Sequence, residues 1–187
     1  MGLRPALFAA LLAAAATAAV DANPAASAAP PKAVGKSAAR SGRVIELDWK
    51  ELLPSGERAR FTAVAPPPVH DYRGEGGPPA VQTLDFNVNK ALDGATVRLP
   101  GFIVPLEALK SGGLSDFLLV PYFGSCIHVP PPPPNQLVYV HTIKRAAIAS
   151  IYDAYWITGK LHLQTKTTRL GSAAYELSAD KIEVYRY

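Results

Sequence analysis

The residues best suited to chemistry lie in SCIHVPPPPPNQ, Ser125 to Gln136, which holds the only cysteine of the chain, a histidine two residues later and five consecutive prolines. In extended backbone, residues i and i+2 point to the same side, so Cys126 and His128 would share one face, with Ile127 and Val129 on the other. A thiolate and an imidazole suit zinc or copper, whereas calcium or magnesium would want oxygen ligands. Two ligands do not complete a site, because a closed zinc site needs about four and a catalytic one about three plus water. His141, His70, His162, Glu107 and Asp71 are the candidate completions. His141 is preferred, since it ends the strand that follows the prolines. His162, flanked by Leu161 and Leu163 on the opposite face, points to solvent on this reading. Glu107 serves equally well as a strand-end cap or a surface charge.

Two other readings of the same residues stand beside the metal. Free cysteine is among the most buried residue types, so Cys126 can be a small core hydrophobe and His128 a hydrogen-bonded structural histidine. The five prolines favour a polyproline II rod, which needs no ladder partner and is already stiff. With Tyr122, Phe123 and Tyr139 nearby, Pro130, Pro132, Pro134, Asn135 and Gln136 then form a docking surface for another protein. A cysteine enzyme is the least supported class. Cys126 would need a base from elsewhere, such as His141, and no Gly-x-Ser-x-Gly elbow, His-Glu-x-x-His helix or glycine-rich phosphate loop is present.

The elements that must position these residues are strands. RVIELDWKELLP alternates Val44, Glu46 and Asp48 against Ile45, Leu47 and Trp49, then turns helically over Lys50 to Leu53 before Pro54. LDGATVRLPGFIVPLE turns at Asp93-Gly94 and alternates again, with Pro100-Gly101 expected to interrupt the ladder as a bulge or bend. LSDFLLVPYF, NQLVYVHTIK, AYWITGKLHLQTKT and AYELSADKIEVYRY supply the remaining strand regions, the last two separated by Arg169 to Ser172. Gly159 is a second candidate bend. Five or so strands without a long amphipathic helix predict an all-β fold, a small OB-like β-barrel with an extended N-terminal segment and a proline-rich loop.

Composition divides the chain into three parts. Residues 1–22 read as a signal peptide, with Arg4, an apolar run from Ala6 to Ala16 and small residues before a cut preferred after Ala22. Residues 23–42 are a flexible linker of Ala, Pro, Ser and Lys, too poor in large apolar groups to offset the entropy of ordering. Residues 43–187 are expected to form a single β-barrel domain. The 65–80 stretch, rich in proline and glycine, reads as a long loop or extended connector carrying His70, Asp71 and Tyr72. The apolar run is too short for a membrane span and no lipobox cysteine follows it, so a periplasmic or secreted protein is expected. The net charge of +4 is spread along the chain, with no cluster longer than Lys144-Arg145, which gives no reason to expect nucleic acid.

LPGFIVPLE at Leu99 to Glu107, FLLVPYFGSCIHVPPPPPNQ at Phe117 to Gln136, and the terminal G-K-L and Y-x-L-x-A-x-x-I-x-x-Y elements resemble the bacterial family catalogued as domain of unknown function 3299. The resemblance covers roughly Trp49 to Tyr185. It implies an exported or lipid-anchored envelope protein without an assigned activity, with members beside transporters of the macrolide-exporter type and in zinc-responsive settings. Sequence and resemblance together lead to two expectations. One is a metal-handling or transporter-accessory protein that binds zinc or copper through Cys126, His128 and His141. The other is an interaction module for an envelope transporter or other periplasmic protein.

Overall fold

The computed structural model describes residues 43–61, 81–107, 113–126 and 130–186. The expected signal peptide at 1–22, linker at 23–42 and loop at 65–80 lie outside the described residues, as do His70, Asp71 and His128.

The strands are β1 (Ile45–Glu46), β2 (Thr96–Pro105), β3 (Leu114–Val120), β4 (Val138–Ala146), β5 (Ala154–His162), β6 (Lys166–Thr168), β7 (Gly171–Ala173) and β8 (Tyr175–Val184). Five of them close a barrel in the order β2-β3-β4-β8-β5 and back to β2. The β4–β8 pairing is parallel and the other four are antiparallel. This is the connectivity of an OB-like barrel, and the expected all-β class is observed.

Closure depends on β2 pairing with two strands in succession. Thr96–Phe102 run against β5, and Phe102–Pro105 run against β3. The expected interruption at Pro100-Gly101 does not occur. Pro100 stays in register with Trp156 and Gly101 with Tyr155, while the Pro100 carbonyl accepts the Trp49 indole N–H at 2.6 Å. What the glycine supplies is close approach. A Cβ at Gly101 would sit 2.7 Å from the Val120 carbonyl oxygen, so the strand can turn from one neighbour to the other only without a side chain there.

Alternation sorts the side chains as period-two geometry requires. Val97, Leu99 and Ile103 of β2 point inward with Phe117 and Leu119 of β3, Val138 and Val140 of β4, Ile157 and Leu161 of β5, and Tyr175 and Leu177 of β8. The floor comes from the N-terminal segment. β1 pairs parallel to β2, and a 3-10 turn at Trp49–Leu52 buries Trp49 and Leu52 in the same core. The helical turn expected at Lys50 to Leu53 is therefore present, shifted by one residue.

A second apolar layer lies on the outside of the barrel. Phe102, Val104, Leu118 and Val120 cluster with Leu137, Ala154 and Ala173, and Leu106, Cys126, Tyr139, Leu170 and Tyr185 pack against them. The region read as one strand, AYWITGKLHLQTKT, is split: β5 ends at His162, and Lys166–Thr168 pairs with Gly171–Ala173 as a hairpin. That hairpin brings Leu170 and Ala173 onto the outer layer. OB barrels that bind oligonucleotides use the corresponding outer face of their second and third strands. Here part of that face is filled by the protein's own apolar side chains.

Candidate functional site

Cys126 follows the turn at Tyr122–Ser125, where Ser125 Oγ donates to the Tyr122 carbonyl at 3.0 Å. Its φ of 66° is left-handed, so the extended backbone assumed for a shared Cys126–His128 face is not met at Cys126. The side chain packs against the outer apolar layer. Burial pushes its thiol pKa up to about 12, which leaves it protonated and a poor nucleophile near neutral pH.

His141 does not end its strand; it is the fourth residue of β4, exposed on the outer face and directly opposite Asp116 of β3. Cross-strand register builds a hydrogen-bonded group there. Asp116 Oδ1 accepts from Tyr139 Oη at 2.5 Å and lies 2.9 Å from His141 Nδ1, while Ser115 Oγ donates to Oδ2 at 2.8 Å. Burial of Asp116 raises its pKa, but the hydrogen bonds from Tyr139, His141 and Ser115 outweigh it and hold the carboxyl below its ordinary value. Tyr139 moves the other way, to about 12, through burial and its bond to the Asp116 carboxylate. Asp116 thus orients the His141 ring and leaves Nε2 without a partner among the described residues.

A second string runs alongside. Glu107 Oε1 accepts from the Ser115 backbone N–H at 3.4 Å and from Arg145 at 2.8 Å, and Arg145 also donates to the Gly113 carbonyl at 2.7 Å. Glu107 is therefore a loop clamp beside the histidine group, in line with its reading as a cap. His162, the last residue of β5, has its Nδ1 3.8 Å from Asp93 Oδ1. Among the described residues, no group of three or more His, Cys, Asp or Glu is arranged to hold a metal ion.

The proline run is a clamp rather than an exposed rod. Pro132, Pro134, Asn135, Gln136 and Tyr122 are buried, which removes them from a docking surface; Pro130 is half-buried and Phe123 is 42% exposed. Prolines lack a donor, so their carbonyls carry the bonds. Pro132 accepts from Gln82 Nε2 at 2.7 Å, Pro133 from the Gln136 N–H at 2.8 Å, and Pro134 from the Ala174 N–H at 2.8 Å. Pro134 opens a 3-10 turn at Pro134–Gln136, which aims both amides inward. Asn135 Nδ2 donates to the Asn87 carbonyl at 3.0 Å and Gln136 Nε2 to the Trp49 carbonyl at 3.2 Å. The most unusual motif of the sequence ties the N-terminal segments to the barrel.

The fold and this clamp can be set against known proteins. The family model described as "Protein of unknown function (DUF3299)" matches residues 49–184. The chain belongs to the DUF3299 family. It is similar to a DUF3299 family protein of Pseudomonas aeruginosa PAO1 known from a crystal structure, with 41% sequence identity, a TM-score of 0.63, and coverage of 78% of this chain and 99% of that one. Among curated proteins, none matches the chain.

Of the residues singled out from this DUF3299 sequence, the structure places Cys126 in the apolar layer and His141 in a polar group. Asp116, Ser115 and Arg145 were not singled out. The available signal was a lone acid in the apolar run LSDFLLV, facing outward where VYVH places Tyr139 and His141.

No helix among the described residues is long and apolar enough to cross a membrane. Exposed aromatics are nevertheless present. Phe123 packs edge-on against Phe102 at 5.9 Å between ring centroids, and Tyr152, 72% exposed, lies 5.6 Å from Phe123.

Proposed function

We propose that this protein is an exported accessory module of the cell envelope that docks onto a transport component through the Phe123–Tyr152 aromatic step. The observation that carries the reading is that ladder. Its inner ring, Phe102, is buried, while Phe123 and Tyr152 hold large apolar surface in water at fixed positions. Rigid aromatics of this kind supply much of the energy of protein interfaces. Photo-crosslinking residues at positions 123, 152 and, as a control, the exposed strand position Lys160 test it in the native envelope. A shared adduct from 123 and 152 that is absent from 160 supports docking there. The same adducts from all three, or none, overturn it.

A second reading is favoured by the His141 geometry. A carboxylate on Nδ1 that leaves Nε2 free is the usual outer support of a metal-bound histidine, and zinc or copper suits an imidazole. Cys126 and His128 would supply the further ligands, with loss of the thiol proton on binding. If so, the protein takes up about one equivalent of zinc or Cu(I) with proton release. Cys126→Ser, His128→Ala and His141→Ala each weaken uptake by about tenfold or more, since comparable losses follow even from removing a metal ligand's outer support. Titration of wild type and variants that bind alike removes the metal from the proposal.

A further inference from the structure

β4 and β8 run side by side from Val138↔Tyr175 to Thr142↔Ala179 and then part. The cause is a pair of bulges at the same level. Between Leu114 and Asp116 the β3–β4 register shifts, so β4 bulges over Thr142–Arg145. Between Thr158 and Gly159 the β5–β8 register shifts by one residue, which leaves Asp180 as the extra residue of β8. Bulges end pairing and bend strands at barrel rims. The result is a cleft of about 440 Å³ lined on one side by Ile143, Lys144 and Ala146 and on the other by Asp180, Lys181 and Ile182.

The final stretch of β8 therefore has a neighbour on one edge only. Lys181, Ile182, Glu183 and Val184 pair with β5, and no strand among the described residues pairs with their other edge. The hydrogen-bond phase of that edge can be read directly. The Tyr185 N–H donates to the Ala154 carbonyl, so in an antiparallel ladder Glu183 and Lys181 also turn their backbone groups to β5. Ile182 and Val184 turn theirs to the open edge.

We infer that this edge pairs antiparallel with the same edge of a second copy of the chain, about a two-fold axis at Ile182. The segment K-I-E, Lys181 to Glu183, is complementary to itself in that register. Ile182 meets Ile182 of the other copy with both N–H and C=O aimed across, which closes a reciprocal pair of hydrogen bonds. Lys181 falls opposite Glu183 of the other copy, and Glu183 opposite its Lys181. Within one chain these two already sit on one face, 2.9 Å apart, and Arg98 lies 3.8 Å from Glu183. Pairing extends that intramolecular bridge into an alternating row of charge across two barrels. Opposite charges directly across an antiparallel pair are stabilising, and like charges are destabilising. Ile182 packs inward on the barrel core, so the charged pairs lie on the outer face of the joined sheet.

Sedimentation equilibrium of the full chain, with Lys181→Glu, Glu183→Lys and their equimolar mixture, tests this. Lys181 is exposed and Glu183 half-buried, and thermal melts identify folded variants. Wild type is expected to form a dimer. Each single charge reversal places like charges opposite one another and weakens self-association by about tenfold. The mixture restores it, because one copy then carries two acids and the other two lysines. A wild-type monomer at millimolar concentration overturns the proposal. So does a dimer indifferent to either reversal, or a mixture that stays as weak as its components.

Discussion

Gly159→Val is expected to unfold a large share of the protein at temperatures where wild type is native. Gly159 sits in β5 where the β8 register shifts, between Val97 on one side and Ala179 on the other. A Cβ there would collide with the Ser178 carbonyl oxygen and lie 2.8 Å from Ala179 Cα. Both obstacles are backbone of a paired strand, so no side-chain rotation relieves the contact. Overpacking of this kind costs about 3 kcal/mol or more, and a Tm drop of about 10 °C or more should follow. Gly159→Ala should already show most of the loss. Gly101→Ala should be milder, because its nearest backbone contact is looser, 2.7 Å to the Val120 carbonyl oxygen, and its other two are to the Leu119 side chain. Melts in which Gly159→Ala equals wild type would refute the close approach.

Trp49→Ala carries the second large expected effect. Trp49 has no exposed surface and fills the floor of the barrel, with its indole N–H on the Pro100 carbonyl at 2.6 Å. Its own carbonyl accepts the buried Gln136 amide. Truncation removes the ring and leaves a cavity, for about 3–5 kcal/mol, and it also strands the Pro100 carbonyl. Trp49→Phe separates the two contributions. It keeps most of the volume and loses only the donor, so about 1–3 kcal/mol should be lost in a urea titration. Equal stability of Trp49→Phe and wild type would show that the hydrogen bond contributes nothing net.

These two sites differ in how far they could be read from the chain. Gly159 and Gly101 stood out in the sequence, because a glycine inside alternating apolar residues has few other uses in a strand; the structure gives both a close backbone approach, in place of the interrupted ladder expected at Gly101. Strand alternation likewise put Val97 and Leu99 on one face of their strand, and Leu161 on the face opposite His162, since the two-residue period is a local property of extended backbone. What local pattern cannot contain is register between distant strands. Asp116 lies 25 residues from His141 in sequence, and only the β3–β4 ladder places them across from each other. The same limit misled the reading of the prolines. Five prolines do favour an extended rod, but whether a rod stands in water or lies against the protein depends on what folds over it. Gln82, Asn87 and Trp49 approach from far along the chain and take up the amides and carbonyls of Pro132–Gln136. Cys126 shows the same division. Its being the single thiol was plain from the sequence, whereas its left-handed backbone, and the burial against the outer layer that keeps it protonated, arise only when the Tyr122–Ser125 turn lays it on the barrel. The chain by itself determined which residues form strands, because the two-residue period is a matter of short-range sterics. The tertiary structure decided which polar groups meet, because that depends on strand pairing across tens of residues.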